Sequence, residues 1–134
     1  MQIFLVHAAD TDAHARALAE RLRWHDCQPT HIWCATAPAA LHTADVIARV
    51  IECDAPIVTA PLDAALADAI DLLPTLRVVL VVGIEPELSA LGVLLAPAYE
   101  RALRPLAPAS AVRIVDHAVR WRIAWDDDAP TPRG

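Results

Sequence analysis

Residues 77–87 read RVVLVVGIEPE, and they decide the fold class. Val78–Val82 is apolar on both faces, which marks a central strand of a parallel sheet covered by helices on each side. Gly83-Ile84-Glu85-Pro86 turns the chain. Leu88, Leu91, Leu94 and Leu95 then recur at helical spacing. Working outward, the same alternation repeats. Gln2–Val6 (QIFLV) is too short and too rich in strand formers for a helix. Asp10, Thr11 or Asp12 can cap the helix beyond it, whose apolar stripe is Ala15, Leu18, Ala19 and Leu22. Thr30–Thr36 predicts a second strand. A helix follows from Pro38 to about Glu52, carrying Leu41, Ala44, Ile47 and Ile51 on one face. Ile57–Thr59 predicts a short third strand, and Leu62, Leu66, Ile70 and Leu73 line a third helix. Pro97, Pro105 and Pro108 interrupt the helix expected after Ala96. Ala111–Val115 and Val119–Trp125 predict a closing hairpin. Val119, Trp121, Ile123 and Trp125 alternate with wetter residues there, so all four are expected on one face.

The order β-α-β-α-β-α-β-α-β-β specifies a three-layer α/β/α sandwich. Its central sheet is mostly parallel, with a C-terminal antiparallel hairpin at the edge. Residues 1–125 are expected to form one domain, and 126–134 a flexible acidic, Pro-containing tail. Ligands of such sheets bind at the carboxyl ends of the strands. That directs attention to His7–Asp10, Thr36–Pro38 and Gly83–Glu87.

Composition excludes several function classes. Of 134 residues 28 are Ala, all 11 basic residues are Arg, and Lys and Asn are absent. The glycines are Gly83, Gly92 and Gly134. A phosphate-binding P-loop, a G-x-G-x-x-G dinucleotide turn, Schiff-base chemistry and a response-regulator receiver site therefore cannot be assembled. A net charge of -6 gives no reason to expect nucleic acid or an anionic membrane as partner. Cys27, Cys34 and Cys53 match no zinc or redox spacing, and an odd number argues for reduced thiols and a cytoplasmic location. The N-terminus lacks the pattern of a signal peptide, and no apolar run approaches the ~20 residues of a membrane span. The histidines show no metal-ligand spacing, so neither metal nor cofactor is expected. The oligomeric state stays open.

Four stretches resemble one family. MQIFLVHAAD (1–10) resembles the opening of the histidine phosphatase superfamily, in its small, bacterial-type SixA branch, where the first strand ends in Arg-His-Gly. HIWCATAPAALHTADVIARVI (31–51) is similar to that family's segment S-P-x-x-R-A-x-Q-T-A. VLVVGIEPELSALGVLL (79–95) is similar to V-L-x-V-G-H-x-P-x-L, and SAVRIVDHAVRWRIAW (110–125) to its closing hairpin. The resemblance implies a phosphoglycerate mutase-like fold, with His7 as phosphoacceptor and a phosphohistidine-bearing protein as partner. It also implies a pocket of two arginines and a second histidine, because a transferring phosphoryl group needs fixed cationic donors.

Those positions are changed here. Val6 stands for the first arginine, Ala8 for the glycine, Ala39 for the second arginine and Ile84 for the second histidine. Ala35-Thr36 stands for Ser-Pro, and the L-T-x-x-G loop is missing. One lost donor typically costs ~3 kcal/mol of transition-state stabilisation, so three lost groups leave little catalysis. The expectation is a degenerate, inactive or very weak superfamily member that acts as a binding or regulatory pseudoenzyme. Its candidate site is His7, as the catalytic position, with Ala8, Thr36, Ala39, His42, Ile84 and Glu85 as binding positions. Two alternatives stay open. One is an active phosphohistidine (phosphomonoester) phosphatase with a rebuilt pocket. The other is a structural or oligomerising α/β domain that uses its Ala-rich helices.

Overall fold

The computed structural model describes residues 1–127. The chain runs β1 (Gln2–His7), α1 (Asp12–Trp24), β2 (His31–Cys34), α2 (Pro38–Val50), β3 (Ile57–Thr59), α3 (Ala64–Asp71), β4 (Val78–Gly83) and α4 (Glu87–Leu95). A 3-10 turn (Pro97–Tyr99), the short α5 (Glu100–Leu103), β5 (Ser110–Val115) and β6 (Ala118–Ala124) complete it. One six-stranded sheet has the order β3-β2-β4-β1-β5-β6. The pairs β3–β2, β2–β4 and β4–β1 are parallel, and β5 and β6 join antiparallel.

Two apolar layers follow from the pleat. Leu5, Val79, Val81, Val112 and Ile114 point to one side and pack with Leu66, Ile70, Leu88, Leu91, Leu95 and Leu103 of α3, α4 and α5. Phe4, Val6, Leu80 and Val82 point to the other and pack with Leu18, Leu22, Ala44 and Ile47 of α1 and α2. The three-layer sandwich is thereby present, with the hairpin at one edge. Each fully buried Leu or Phe contributes about 1.5–3 kcal/mol relative to exposure.

Local signals set the helix ends. The Thr11 side chain accepts the His14 amide and starts α1, and Asp63 does the same for the Leu66 amide and α3. Three expectations need correction. Leu41 is exposed, because the buried face of α2 runs through Ala40, Thr43, Ala44 and Ile47. Leu94 is likewise exposed, on the outer side of α4. The alternation along β6 breaks as well. Arg113 pairs with Trp121 but Ile114 pairs with Val119, so Arg120 is an extra residue that bulges the strand. The slip sends Val119 to the α4 side of the sheet, while Trp121, Ile123 and Trp125 stay on the α1 side.

Trp125 and Asp126 form a turn after β6, and in the expected tail the Asp127 carboxylate accepts the Ala124 amide at 2.8 Å. The rest of that tail, 128–134, lies outside the described residues. No helix among the described residues is long and apolar enough to cross a membrane.

Candidate functional site

The parallel strands end together. His7 is in register with Gly83, the Ala8 amide donates to the Gly83 carbonyl at 2.9 Å, and the Ala35 amide donates to the Val82 carbonyl at 2.9 Å. These bonds bring His7, Ala35 and Ile84 to one rim. The His7 ring is half-buried, and its Nδ1 lies 2.7 Å from the Leu106 carbonyl oxygen. A carbonyl only accepts, so Nδ1 carries the proton and neutral His7 leaves Nε2 as its bare nitrogen. Behind His7 the chain is pinned. The buried Thr43 hydroxyl oxygen accepts the Ala9 amide at 3.0 Å, and the Ala109 amide donates to the His7 carbonyl at 3.1 Å.

A cavity of about 410 Å³ opens at the ends of β2, β3 and β4. Ala35, Ala37, Ala60, Pro61, Leu62 and Ile84 give it apolar walls. Thr36, Asp63 and Glu87 are its polar residues, and no described residue lining it is basic. Leu62 forms the floor: a Cβ on Gly83 would overlap its side chain, so glycine at 83 lets the leucine lie over the strand end.

Four helices begin at the strand ends, where unpaired amides and the helix dipole favour an anion. The Thr11 hydroxyl caps α1, and the α3 and α4 starts are filled by the chain's own carboxylates. Asp63 caps α3. Glu85 reaches the α4 start, its carboxylate accepting the Ser89 amide at 2.9 Å and also the buried Ser89 hydroxyl. The α2 start at Ala37 has no side-chain cap.

The sequence-derived candidates therefore separate. Thr36 and Ile84 line the cavity, whereas His7, in register with Gly83 at the end of β1, is not one of its lining residues. Ala8 is buried. Glu85 is turned onto Ser89. Ala39 is exposed in the first turn of α2 and does not line the cavity. His42 is also exposed and turns away, with Nε2 2.9 Å from Asp12 Oδ1. Asp12 in turn holds Arg16 at 2.7 Å, and these two hydrogen bonds hold its carboxyl below the usual carboxylate range. Sequence reasoning put Leu62 on the third helix and passed over Asp63 as a site residue; both precede α3, which starts at Ala64. Their loop follows the carboxyl end of β3, the position at which ligands of such sheets bind.

The arginines with a described partner make their contacts elsewhere. Arg16 pairs with Asp12, Arg23 with Glu20, Arg49 with Asp45 and Arg104 with Glu100. Arg21 donates to the Ala17 and Asp127 carbonyls, and Arg113 to Gln2. Among the described residues no hydrogen bond links an arginine to His7. No group of three or more His, Cys, Asp and Glu among the described residues is arranged to hold a metal ion.

By sequence, no family model and no curated protein matches the chain. By structure, it is similar to the protein histidine phosphatase SixA complexed with tungstate. The TM-score is 0.80 at 14% identity, over 93% of this chain and 97% of that one. The chain shares the fold of SixA. A putative SixA from Agrobacterium tumefaciens gives a TM-score of 0.75 at 16% identity, over 92% of this chain and 97% of that one. A phosphoglycerate mutase from Plasmodium falciparum gives 0.65 at 13% identity, over 99% and 96%. On this fold the end of β1 carries His7. Val6, where the resemblance puts an arginine, is fully buried among Phe4, Leu18 and Val82.

Proposed function

We propose that this chain is a binding or regulatory protein built on a SixA-type scaffold, and that it does not turn over phosphohistidine or phosphate esters. The observation that carries this reading is the lining of the strand-end cavity. Its charged members are Asp63 and Glu87, and no described residue lining it is basic. A phosphoryl group carries spread negative charge and requires fixed cationic donors. In that cavity it would meet carboxylates, and Glu85 already accepts the Ser89 amide in the first turn of α4.

The partner class, a phosphohistidine-bearing protein recognised without being dephosphorylated, is carried over from the resemblance. A cytoplasmic location belongs to the same proposal and is supported by three free cysteines.

One observation favours a second reading, an active phosphatase. The Leu106 carbonyl fixes His7 as the tautomer with a bare Nε2, which is the form an attacking imidazole needs. Oxyanion binding separates the two. SixA is described in complex with tungstate. Titration of this chain with tungstate, followed by amide NMR, is expected to show no saturable shift at His7, Ala8 or Ile84 up to about ten millimolar, well above the concentration at which a preorganised phosphate site would fill. Saturable binding that His7→Ala removes would favour the active reading.

A further inference from the structure

The strand-end cavity has chemistry of its own. At about 410 Å³ it has the size of a small-molecule site, with walls of alanine, proline, leucine and isoleucine. Ile84 and Leu62 stand over β4, and Ala35, Ala37 and Ala60 close the β2 and β3 side. Such walls select an apolar body. The polar residues select the head group. Thr36 can donate or accept, whereas Asp63 and Glu87 only accept and carry negative charge at neutral pH. Asp63 spends one oxygen on the Leu66 amide, which leaves the other for a ligand. Among the described residues neither Asp63 nor Glu87 has an ion-pair partner, although six ion pairs form elsewhere. An apolar cavity whose charged lining residues are two exposed carboxylates, each at a helix start and neither in an ion pair among the described residues, complements a cation with an apolar stem, and the chain's net charge of -6 adds attraction at long range.

We infer that this cavity binds a small organic cation, an ammonium or guanidinium carried on a short apolar stem. The stem lies against Leu62 and Ile84, and the charged head sits between Asp63 and Glu87. The inference rests on the reading that the site no longer serves a phosphoryl group, and it names the ligand class that replaces it.

The probes are phenethylamine and its uncharged counterpart 2-phenylethanol, titrated into the full chain and followed by amide NMR. The amine should give saturable shifts centred on Thr36, Asp63 and Ile84. Its affinity should exceed that of the alcohol by about tenfold, the effect of two partly solvated charge pairs. The variant carrying Asp63→Asn and Glu87→Gln should lose that margin and still melt with the parent, because Asn caps a helix as well as Asp. Raised salt should weaken the amine and spare the alcohol.

Equal affinity for amine and alcohol would overturn the inference. So would amine binding unchanged in the double variant, or the absence of any saturable shift in the cavity. A basic peptide that binds there while the free amine does not would overturn it as well. Turnover of a phosphoryl substrate abolished by His7→Ala is a separate readout: it would defeat the underlying reading and leave amine binding measurable in its own right.

Discussion

Replacing Thr43 by Val tests what holds the segment after His7 in place. Thr43 is fully buried on α2, and its hydroxyl oxygen accepts the Ala9 amide at 3.0 Å. Ala9 is itself buried, two residues beyond His7, so no water stands ready to replace the lost acceptor. Valine has the same shape as threonine without the oxygen. It leaves an N–H buried and unpaired, which costs about 1–3 kcal/mol, partly offset by ~0.8 kcal/mol from one more buried methyl group. A net loss of about 0.2–2 kcal/mol is expected, centred near 1 kcal/mol. Unfolding entropy of ~2.1 cal/mol/K per residue over this chain gives ~0.28 kcal/mol/K, so Tm should fall by about 4 °C, within a range of about 1–8 °C. Thermal unfolding followed by circular dichroism reads the shift. Hydrogen exchange reads its place: the Ala9 amide should lose protection in Thr43→Val and keep it in Thr43→Ser, which retains the oxygen. A Thr43→Val protein that melts within about 1 °C of the parent, with Ala9 still protected, would refute the assigned role of this bond.

Two further outcomes follow from packing and from thiol burial. A Cβ on Gly92 would stand 2.9 Å from Leu5 Cδ1 and 3.2 Å from Leu103 Cδ2, so Gly92→Val should lose about 1–3 kcal/mol in a urea titration despite valine's better helix propensity; a variant at parent stability would show that α4 has room against β1. Burial pushes the Cys27 thiol up to about 12, with nearby Cys53 adding to the rise, and pushes Cys34 up to about 11. A maleimide or iodoacetamide at pH 8 should therefore modify half-buried Cys53 first in the native protein, and mass spectrometry showing Cys27 or Cys34 labelled first would contradict this.

The fold was legible because its strands and helices follow different periods. Val78–Val82 is apolar on both faces, Ile57–Thr59 is bounded by Pro56 and Pro61, and the α1 stripe of Ala15, Leu18, Ala19 and Leu22 is the face that the core buries. Faces near a boundary were not legible. Leu41 and Ala40 are adjacent on α2, and only packing decides that the smaller residue goes inward. The β6 bulge at Arg120 is set by pairing with β5, which a pattern within one strand does not encode.

The site was legible in part for a related reason. His7 and Ile84 follow strands and could be placed at their ends. His42 shares a helix with Ala39, but one turn carries it to the α1 side, where Asp12 holds it. Glu85 reads as a mouth residue until Ser89 is seen to bind its carboxylate. Leu62 and Asp63 enter the cavity because β3 is short and its following loop folds back over Gly83, a long-range fact with no local signature.

The central proposal is that this chain, on a fold shared with SixA, does not turn over a phosphoryl group. The most direct measurement incubates purified protein, and its His7→Ala variant, with a phosphohistidine-bearing protein and with an aryl phosphate. Both should release phosphate at the same background rate, and His7 should carry no phosphoryl group when the mixture is trapped and examined by mass spectrometry. Phosphate release that exceeds background and disappears in His7→Ala would contradict the claim.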